Sequence, residues 1–464
     1  MNPTRLARLR QHIDTFRLQF AQDGIHTLSA ALTPQAMEHI VRAAYPAGWR
    51  ERIFGPLTTL KLFVGQALSS DGACMDAVGR RLSEGVSLGE AACSLNTGPY
   101  CKARARLPLA IPRGMLEELG GRLESLTPSP WRWRARSVKL FDATTVSMPD
   151  TPSNQQAYPQ NHEQQPGLGF PLARIGALMG LASGAVLGYE VAACQGKDTG
   201  EQTLFRTLYR HIQPGDIVLA DALHCTWWTI AMLHASGADI VMPQHARRAA
   251  DFRRGTRLGK RDHLVEWPRP KKPVWMDAET YEKLPEQLRV REVETGGRLL
   301  VTTLLDAESV RPQAVSALYA ARWNIEVDFR TLKTMMAMDV LRCKSQAMID
   351  KEIAVYLLAY NLIRWTMAKA ASLSDTLPRA LSFMVAKRAL GVLEEHLRHH
   401  GINCTEQTIG IILTAIAALK LPHRPNRVEP RAKKRRPKPL PLLTVPRDLA
   451  RQRILEQRGL KVVP

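Results

Sequence analysis

Ser137–Val146 reads SVKLFDATTV and Gly215–Asp221 reads GDIVLAD. In the first stretch Val138, Leu140 and Asp142 recur every second residue, so on a strand they share one face and a carboxylate points where apolar side chains point. A buried carboxylate without a partner is costly, so Asp142 needs a cation, hydrogen bonds or a proton. Asp221 closes an apolar strand of its own, and carboxylates at strand ends beside a first central strand are where metal-dependent nucleases gather their ligands. Each aspartate also has an ordinary reading. Asp142 can be a core aspartate bonded to backbone amides, and Asp221 can cap the helix that follows it.

Outward from these two stretches the pattern gives a chain order. SVKLFDATTV is followed by ARIGALMGL and AVLGYEVAA, separated at Ser183-Gly184, which predicts three antiparallel strands. The helical GEQTLFRTLYRHI then crosses to DIVLAD, a second helix is predicted from about Trp227 to Ala235, and the strand ADIVMPQ follows. This β-β-β-α-β-α-β order is the ribonuclease-H-like arrangement, an α/β fold with a mixed sheet and helices on its faces. Residues 246–300 interrupt it as a basic, Pro- and Trp-containing β-rich insertion, ending in the hairpin-like REVETGGRLLVTTLL. A long helix from about Pro312 to Met338 resumes the core. Upstream, LTPQAMEHIVRAAYP and PLTTLKLFVGQALSS have helical apolar spacing, and YCKARARLP carries a basic stripe. The division expected is 1–130, a helical region; 131–375, the α/β domain with the insertion; and 376–464, a helical C-terminal region with a basic tail.

On the predicted helix, Tyr319, Arg322, Glu326 and Lys333 are separated by 3, 4 and 7 residues, which keeps them within one broad face together with Arg330. Ala321, Ile325, Phe329, Leu332 and Met336 form an apolar stripe elsewhere on it, able to dock the helix and aim Glu326 at the two aspartates. Spaced Glu and Lys on a solvated surface helix are the ordinary alternative.

Charge narrows the partner class. The 464 residues hold 64 Lys+Arg against 43 Asp+Glu, a net charge of +21 that favours polyanions, nucleic acid first. Two windows of net +7 concentrate it: Ala246–Lys272, and Leu421–Leu440 in the tail. Seven scattered cysteines without a C-x-x-C pair read as reduced thiols and argue against a zinc knuckle or disulfide framework. The opening residues lack a signal-type apolar core, and the most apolar later stretches are interrupted by Arg174 or by glycines, so neither export nor a membrane partner is expected.

The run YAARWNIEVDFRTLK, residues 319–333, resembles the signature of the insertion sequence 4 family of DDE transposases: Y, two residues, R, three residues, E, six residues, K. The blocks FDATTVSMPDTPSNQQAYPQ, QPGLGFPLARIGAL, GDIVLAD, DFRRGTRLGKRDHLVEWPRP and EPRAKKRRPKPLPLL are similar to that family's in the same order, so the resemblance spans about residues 25–450. Two positions depart from the family: Ala143 stands where Gly often follows the first aspartate, and Ala222 where Arg often follows the second.

The resemblance implies a transposase that excises and inserts an insertion-sequence element. Asp142, Asp221 and Glu326 would be the catalytic triad, holding two Mg²⁺ or Mn²⁺ ions; all-oxygen ligands suit these hard ions. Arg322, Lys333 and Arg330 would neutralise DNA phosphates and Tyr319 would donate to the backbone. Trp267, then Trp275, are the candidates to stack on a flipped base, and Lys102, Arg104 and Arg106 are candidate phosphate contacts of the N-terminal helices. The partners implied are double-stranded DNA, both the terminal inverted repeats and the target, and a second copy of the chain in a synaptic homodimer. The expected location is the bacterial cytoplasm, on the nucleoid when bound. Two alternatives remain at this point: a ribonuclease-H-like nuclease without strand transfer, and an inactive transposase-derived DNA-binding protein.

Overall fold

The computed structural model describes residues 32–48, 52–69, 71–87, 89, 92–374, 376–390, 406–421 and 441–457. Among the described residues five helices precede the sheet: α1 (Pro34–Ala44), α2 (Pro56–Leu68), α3 (Cys74–Ser87), α4 (Gly98–Arg106) and α5 (Ala110–Ser125). The central sheet follows as β1 (Val138–Ser147), β2 (Leu172–Gly180), β3 (Val186–Ala193), β4 (Ile217–Leu219) and β5 (Asp239–Pro243). The short helix α6 (Pro152–Ala157) lies between β1 and β2, α7 (Glu201–Thr207) between β3 and β4, and α8 (Trp227–Ala235) between β4 and β5. In space the strands run β3-β2-β1-β4-β5. β1 pairs antiparallel with β2 and parallel with β4, and β4 pairs parallel with β5. That is the ribonuclease-H-like order predicted from the strand pattern.

The insertion is β-rich, as its sequence predicts, and it continues the same sheet. β6 (Thr256–Gly259), β7 (Asp262–Pro268), β8 (Gln287–Thr295) and β9 (Arg298–Thr302) add to the β5 edge through β9, giving nine strands. A short helix, α9 (Ala278–Lys283), separates β7 from β8. Pairing with β9 gives the edge of β5 hydrogen-bond partners.

The predicted long helix from Pro312 to Met338 is three segments. α10 (Pro312–Ala320) is followed by a tight turn, then α11 (Trp323–Arg330), then a π-helical turn over Thr331–Met335. At the first break the amides of Arg322, Asn324 and Ile325 donate three residues back, to Tyr319, Ala321 and Arg322. The Asn324 side-chain amide also donates to the Ala321 carbonyl at 2.8 Å. Beyond the π turn, the Ser147 amide donates to Asp339 and the Leu341 amide to Ser147, so the far end of this segment is tied to β1.

The helix α12 (Gln346–Ser372) is the centre of the molecule: 20 of its 27 residues are buried. It packs on α5, α2 and the later helix Glu406–Ala418. Buried as it is against protein, its apolar run belongs to the core. Among the described residues no helix is long and apolar enough to cross a membrane. One apolar cluster runs through Leu60, Leu116, Leu140, Val290, Leu357 and Leu381, so the stretches read as N-terminal, insertion and C-terminal share it with the sheet. At the β3 edge the Asn361 side chain of α12 acts like a neighbouring strand, accepting from the Val186 amide and donating to its carbonyl, both at 2.8 Å. All eight basic residues of the Leu421–Leu440 window lie outside the described residues.

Candidate active site

The parallel register brings the two aspartates together. Leu140 pairs with Leu219, so Asp142, midway along β1, and Asp221, just past the end of β4, each follow that pair by two residues. The two carboxyl groups are near enough for the Asp221 charge to act on Asp142. Asp221 turns the chain into a short 3₁₀ turn over Ala222–His224 and caps it, its Oδ1 accepting from the Leu223 amide at 3.0 Å. The capping role and the site position are therefore held by one residue.

Glu326 reaches the pair through Arg322. The Arg322 guanidinium donates from Nη1 to Asp142 Oδ2 at 2.9 Å and from Nη2 to Glu326 Oε1 at 2.7 Å, a fork bridging strand and helix. Burial pushes the Asp142 carboxyl above its usual range; the Ala143 amide and Arg322 oppose this, and the Asp221 charge adds to the rise. The other signature positions follow the breaks in the helix. Tyr319 is buried, with its phenol near enough to the Arg322 guanidinium to feel its charge and the Arg298 guanidinium over its ring. Arg330 is exposed. Lys333 sits half-buried on the π turn, its ammonium pushed down by burial while Asp339 pulls it back up.

Two residues beside the aspartates were not singled out in the sequence. His224 is buried, stands edge-on to the Phe141 and Phe205 rings, and has Nε2 3.7 Å from Asp221 Oδ1. Burial, with Arg322 assisting and Asp221 opposing, depresses its imidazole to about 4. Glu201, the first residue of α7, lies 3.6 Å from the Arg174 guanidinium. Its carboxyl is pushed up by burial, pulled down by Arg174, and pushed up again by the charges of Asp221 and Asp142. The next side chain, Gln202, donates to the Leu223 carbonyl at 2.8 Å and ties α7 to the Asp221 turn. The three-residue spacing from Asp221 to His224 was a usable local signal; Glu201 had none, because its proximity is made by the crossover.

Two expectations are corrected. Trp267 is 3% exposed on β7, with Nε1 donating to Glu292 at 3.0 Å, its carbonyl accepting from Trp227 Nε1, and the Arg248 guanidinium 3.7 Å over its ring. A ring so enclosed has no free face for a base. Trp275 is 43% exposed, with Arg206 4.1 Å over its ring. On α4, Arg104 is buried, donating to Gln66 Oε1 at 3.1 Å and Cys74 Sγ at 3.4 Å. Lys102 and Arg106 are exposed, one turn apart; Arg104, two residues from each, faces the opposite side. In the insertion, nine of the ten basic residues of Ala246–Lys272 are exposed, Arg269 being the exception.

The donor chemistry of Asp142, Asp221 and Glu326 is all oxygen and anionic, which suits a hard dication, and the Arg322 guanidinium already serves as a cation shared by two of them. With Arg322 between them the carboxylates do not converge: among the described residues no three His, Cys, Asp or Glu stand close enough to hold an ion.

Residues 133–362 match the family described as "Transposase DDE domain". The chain is similar to the transposase InsG for insertion sequence element IS4 of Escherichia coli (strain K12), 27% identical over 350 residues, covering 72% of this chain and 76% of that protein. Among solved structures it is similar to a piggyBac transposase synaptic complex with hairpin DNA, at a TM-score of 0.44 and 10% identity, covering 89% of this chain and 88% of that one.

Proposed function

From a chain whose residues 133–362 match the transposase DDE domain, we propose a transposase of the insertion sequence 4 type that cleaves DNA at the ends of its element and joins those ends to target DNA. The observation that carries the reading is that Asp142, midway along β1, and Asp221, two residues past the end of the adjacent parallel β4, lie near enough for their charges to interact, with Glu326 linked to Asp142 through one guanidinium. Arg322 stands between Asp142 and Glu326, and drawing them onto a shared ion would require that guanidinium to turn away.

Asp142, Asp221 and Glu326 would hold the metal. Two bound Mg²⁺ or Mn²⁺ ions would activate water or a DNA 3′-hydroxyl and stabilise the leaving oxygen. The chain's other groups bind and orient. Arg322, bonded to Asp142 and Glu326, would exchange carboxylate for phosphate, a planar fork suited to both. Arg330 and Lys333, further along the same face, would contact the flanking phosphates. His224, neutral through most of the physiological range, backs Asp221 without adding a competing positive charge. With Trp267 in the core, a flipped base would stack on Trp275. The exposed basic residues of the insertion would track the duplex, and a second copy of the chain would hold the other element end.

The test is cleavage and joining of a labelled duplex carrying the element's own end, with Mg²⁺, by the wild type and Glu326→Ala. Nicking and strand transfer that vanish in the variant while DNA binding persists would support the reading. Equal binding with no cleavage by either protein would turn it toward a transposase-derived DNA-binding protein, and cleavage without joining toward a nuclease.

A further inference from the structure

The helix that carries Glu326 is gripped from behind by a buried ion cluster, and we propose that this cluster, Asp328 with Arg364 and Arg379, is what positions Glu326 against Asp142. The inference rests on the transposase reading for the role of Glu326; the grip itself does not. Asp328 is the charged member of the three buried residues of α11, the others being Ile325 and Phe329. Two residues apart on an α-helix, Glu326 and Asp328 point to nearly opposite sides, ~200° around the axis. The Asp328 carboxylate accepts from Arg364 Nη2 at 2.5 Å and from Arg379 Nη1 and Nη2 at 3.1 and 2.9 Å.

Each arginine is oriented by other partners. Arg364, on α12, donates from Nε to the Tyr360 hydroxyl at 2.8 Å, and Tyr360 stacks on Phe383. Gly184, at φ +71°, makes room for it in the turn from β2 to β3, where an added Cβ would come 2.9 Å from Arg364 Nε. Arg379, beyond α12, also donates to the carbonyls of Gly180 and Leu181 at the end of β2. One carboxylate therefore fastens α11 both to α12 and to the sheet. Both arginines lie outside the residues that match the transposase domain.

The reason such a grip is needed lies in the ends of α11. A turn bonded three residues back precedes it and a π turn follows, so the number of residues per turn changes at both ends. A continuous α ladder does not, then, dictate which way Glu326 faces. Ile325 and Phe329 supply apolar contact, which tolerates small rotations; a carboxylate held by two guanidinium groups does not. Buried ion clusters contribute little net stability relative to apolar residues of similar volume, and fixing register is their best-attested use. Asp328 is on this account a positioning residue, acting through the helix.

The experiment replaces the cluster by apolar groups in the full chain, as the triple variant Asp328→Leu, Arg364→Met, Arg379→Met. The protein is labelled with 5-fluorotryptophan, and the ¹⁹F line of the exposed Trp323 on α11 is assigned by Trp323→Phe. The expected result is a melting temperature close to wild type, a shifted or split Trp323 line, and a kcat for end cleavage at least ~10-fold lower with KM for DNA unchanged. A folded triple variant with a wild-type Trp323 line and wild-type kcat overturns the proposal. Should the triple variant not fold, Arg379→Gln, which keeps the Asp328–Arg364 pair, must still move the Trp323 line; an unmoved line overturns it too. If no protein cleaves DNA, the ¹⁹F line still decides the positioning role, and the lost activity counts against the transposase reading alone.

Discussion

Arg322 and His224 show how much of the site's behaviour one side chain can decide. Arg322 spans two carboxylates because its fork presents two donors at a fixed separation, at 2.9 and 2.7 Å. Lysine offers a point charge that can satisfy one at a time. Arg322→Lys should keep the fold and DNA affinity near wild type while lowering kcat about 10- to 100-fold, the loss of one charged hydrogen bond of ~1.5–3 kcal/mol, measured in single-turnover cleavage. His224 makes a prediction about pH. Its imidazole is depressed from 6.5 to about 4 in the folded chain, so between those values the unfolded state binds the extra proton. Stability therefore rises as pH rises from about 4 to 6.5, and falls away on acidification through the same window. His224→Phe should remove that slope, a difference on the order of 3 kcal/mol between the ends of the window. Denaturant melts of both proteins in EDTA would measure it, and parallel curves would refute the assignment. Neither property was legible in the sequence beyond the residue types. The spacing of Tyr319, Arg322 and Glu326 identified the helix face, but the bridging of Arg322 to Asp142 depends on a contact across 180 positions.

Among the elements, those whose pattern repeats locally were readable and those set by distant partners were not. β1, β2 and β3 carry strand-type apolar patterns with a Ser183-Gly184 turn, and α8 spans Trp227–Ala235 as its apolar run predicts, capped by Thr226. The segment after Pro312 has an unbroken helical pattern, yet it breaks twice, at Ala321–Arg322 and at the π turn, beyond which residues 339–341 pair with Ser147. A Trp in a β insertion is more often core than wedge, and sequence alone leaves Trp267 a candidate for either. The pairing of β7 with β8, which places Glu292 within reach of its indole, decides for core. Arg104 sits within a run of basic residues, and only helical spacing separates it from Lys102 and Arg106. The crossing of α5 over β3 supplies a test at this scale. An added Cβ at Gly120 would stand 2.2 Å from the Val186 carbonyl oxygen, which is backbone and also bonded by Asn361. Gly120→Ala should destabilise by about 1–3 kcal/mol despite its better helix propensity, because overpacking outweighs propensity at this contact. Urea unfolding would register it, and a stabilised variant would mean that α5 is free to move off the sheet.

At the scale of the whole molecule the argument is electrostatic. A net charge of +21 was legible from composition, and the basic insertion places much of the described excess on an extension of the sheet that also carries Asp142 and Asp221. Not all of that charge is available to a polyanion: Arg253 and Arg254 are engaged by Asp251, Arg261 by Glu294, and Arg248 lies over Trp267. Arg247, in the stretch after β5, Arg257, on the outermost strand β6, and Lys260, just beyond it, are exposed on the insertion. If the duplex runs along that extension, each phosphate contact releases counterions, and the slope of log Kd against log salt grows by about 0.9 per contact. The triple variant Arg247→Gln, Arg257→Gln, Lys260→Gln should lower that slope by up to about 3 and weaken binding to all sequences alike. It should leave the unfolding midpoint unchanged, since exposed charges contribute little to stability. Fluorescence anisotropy titrations across a salt series, on the element end and on an unrelated duplex, would measure both slopes. An unchanged slope would move the DNA path off the insertion, toward the exposed Lys102 and Arg106 of α4 or the basic tail. A loss confined to the element end would make these residues readers of sequence instead of phosphate.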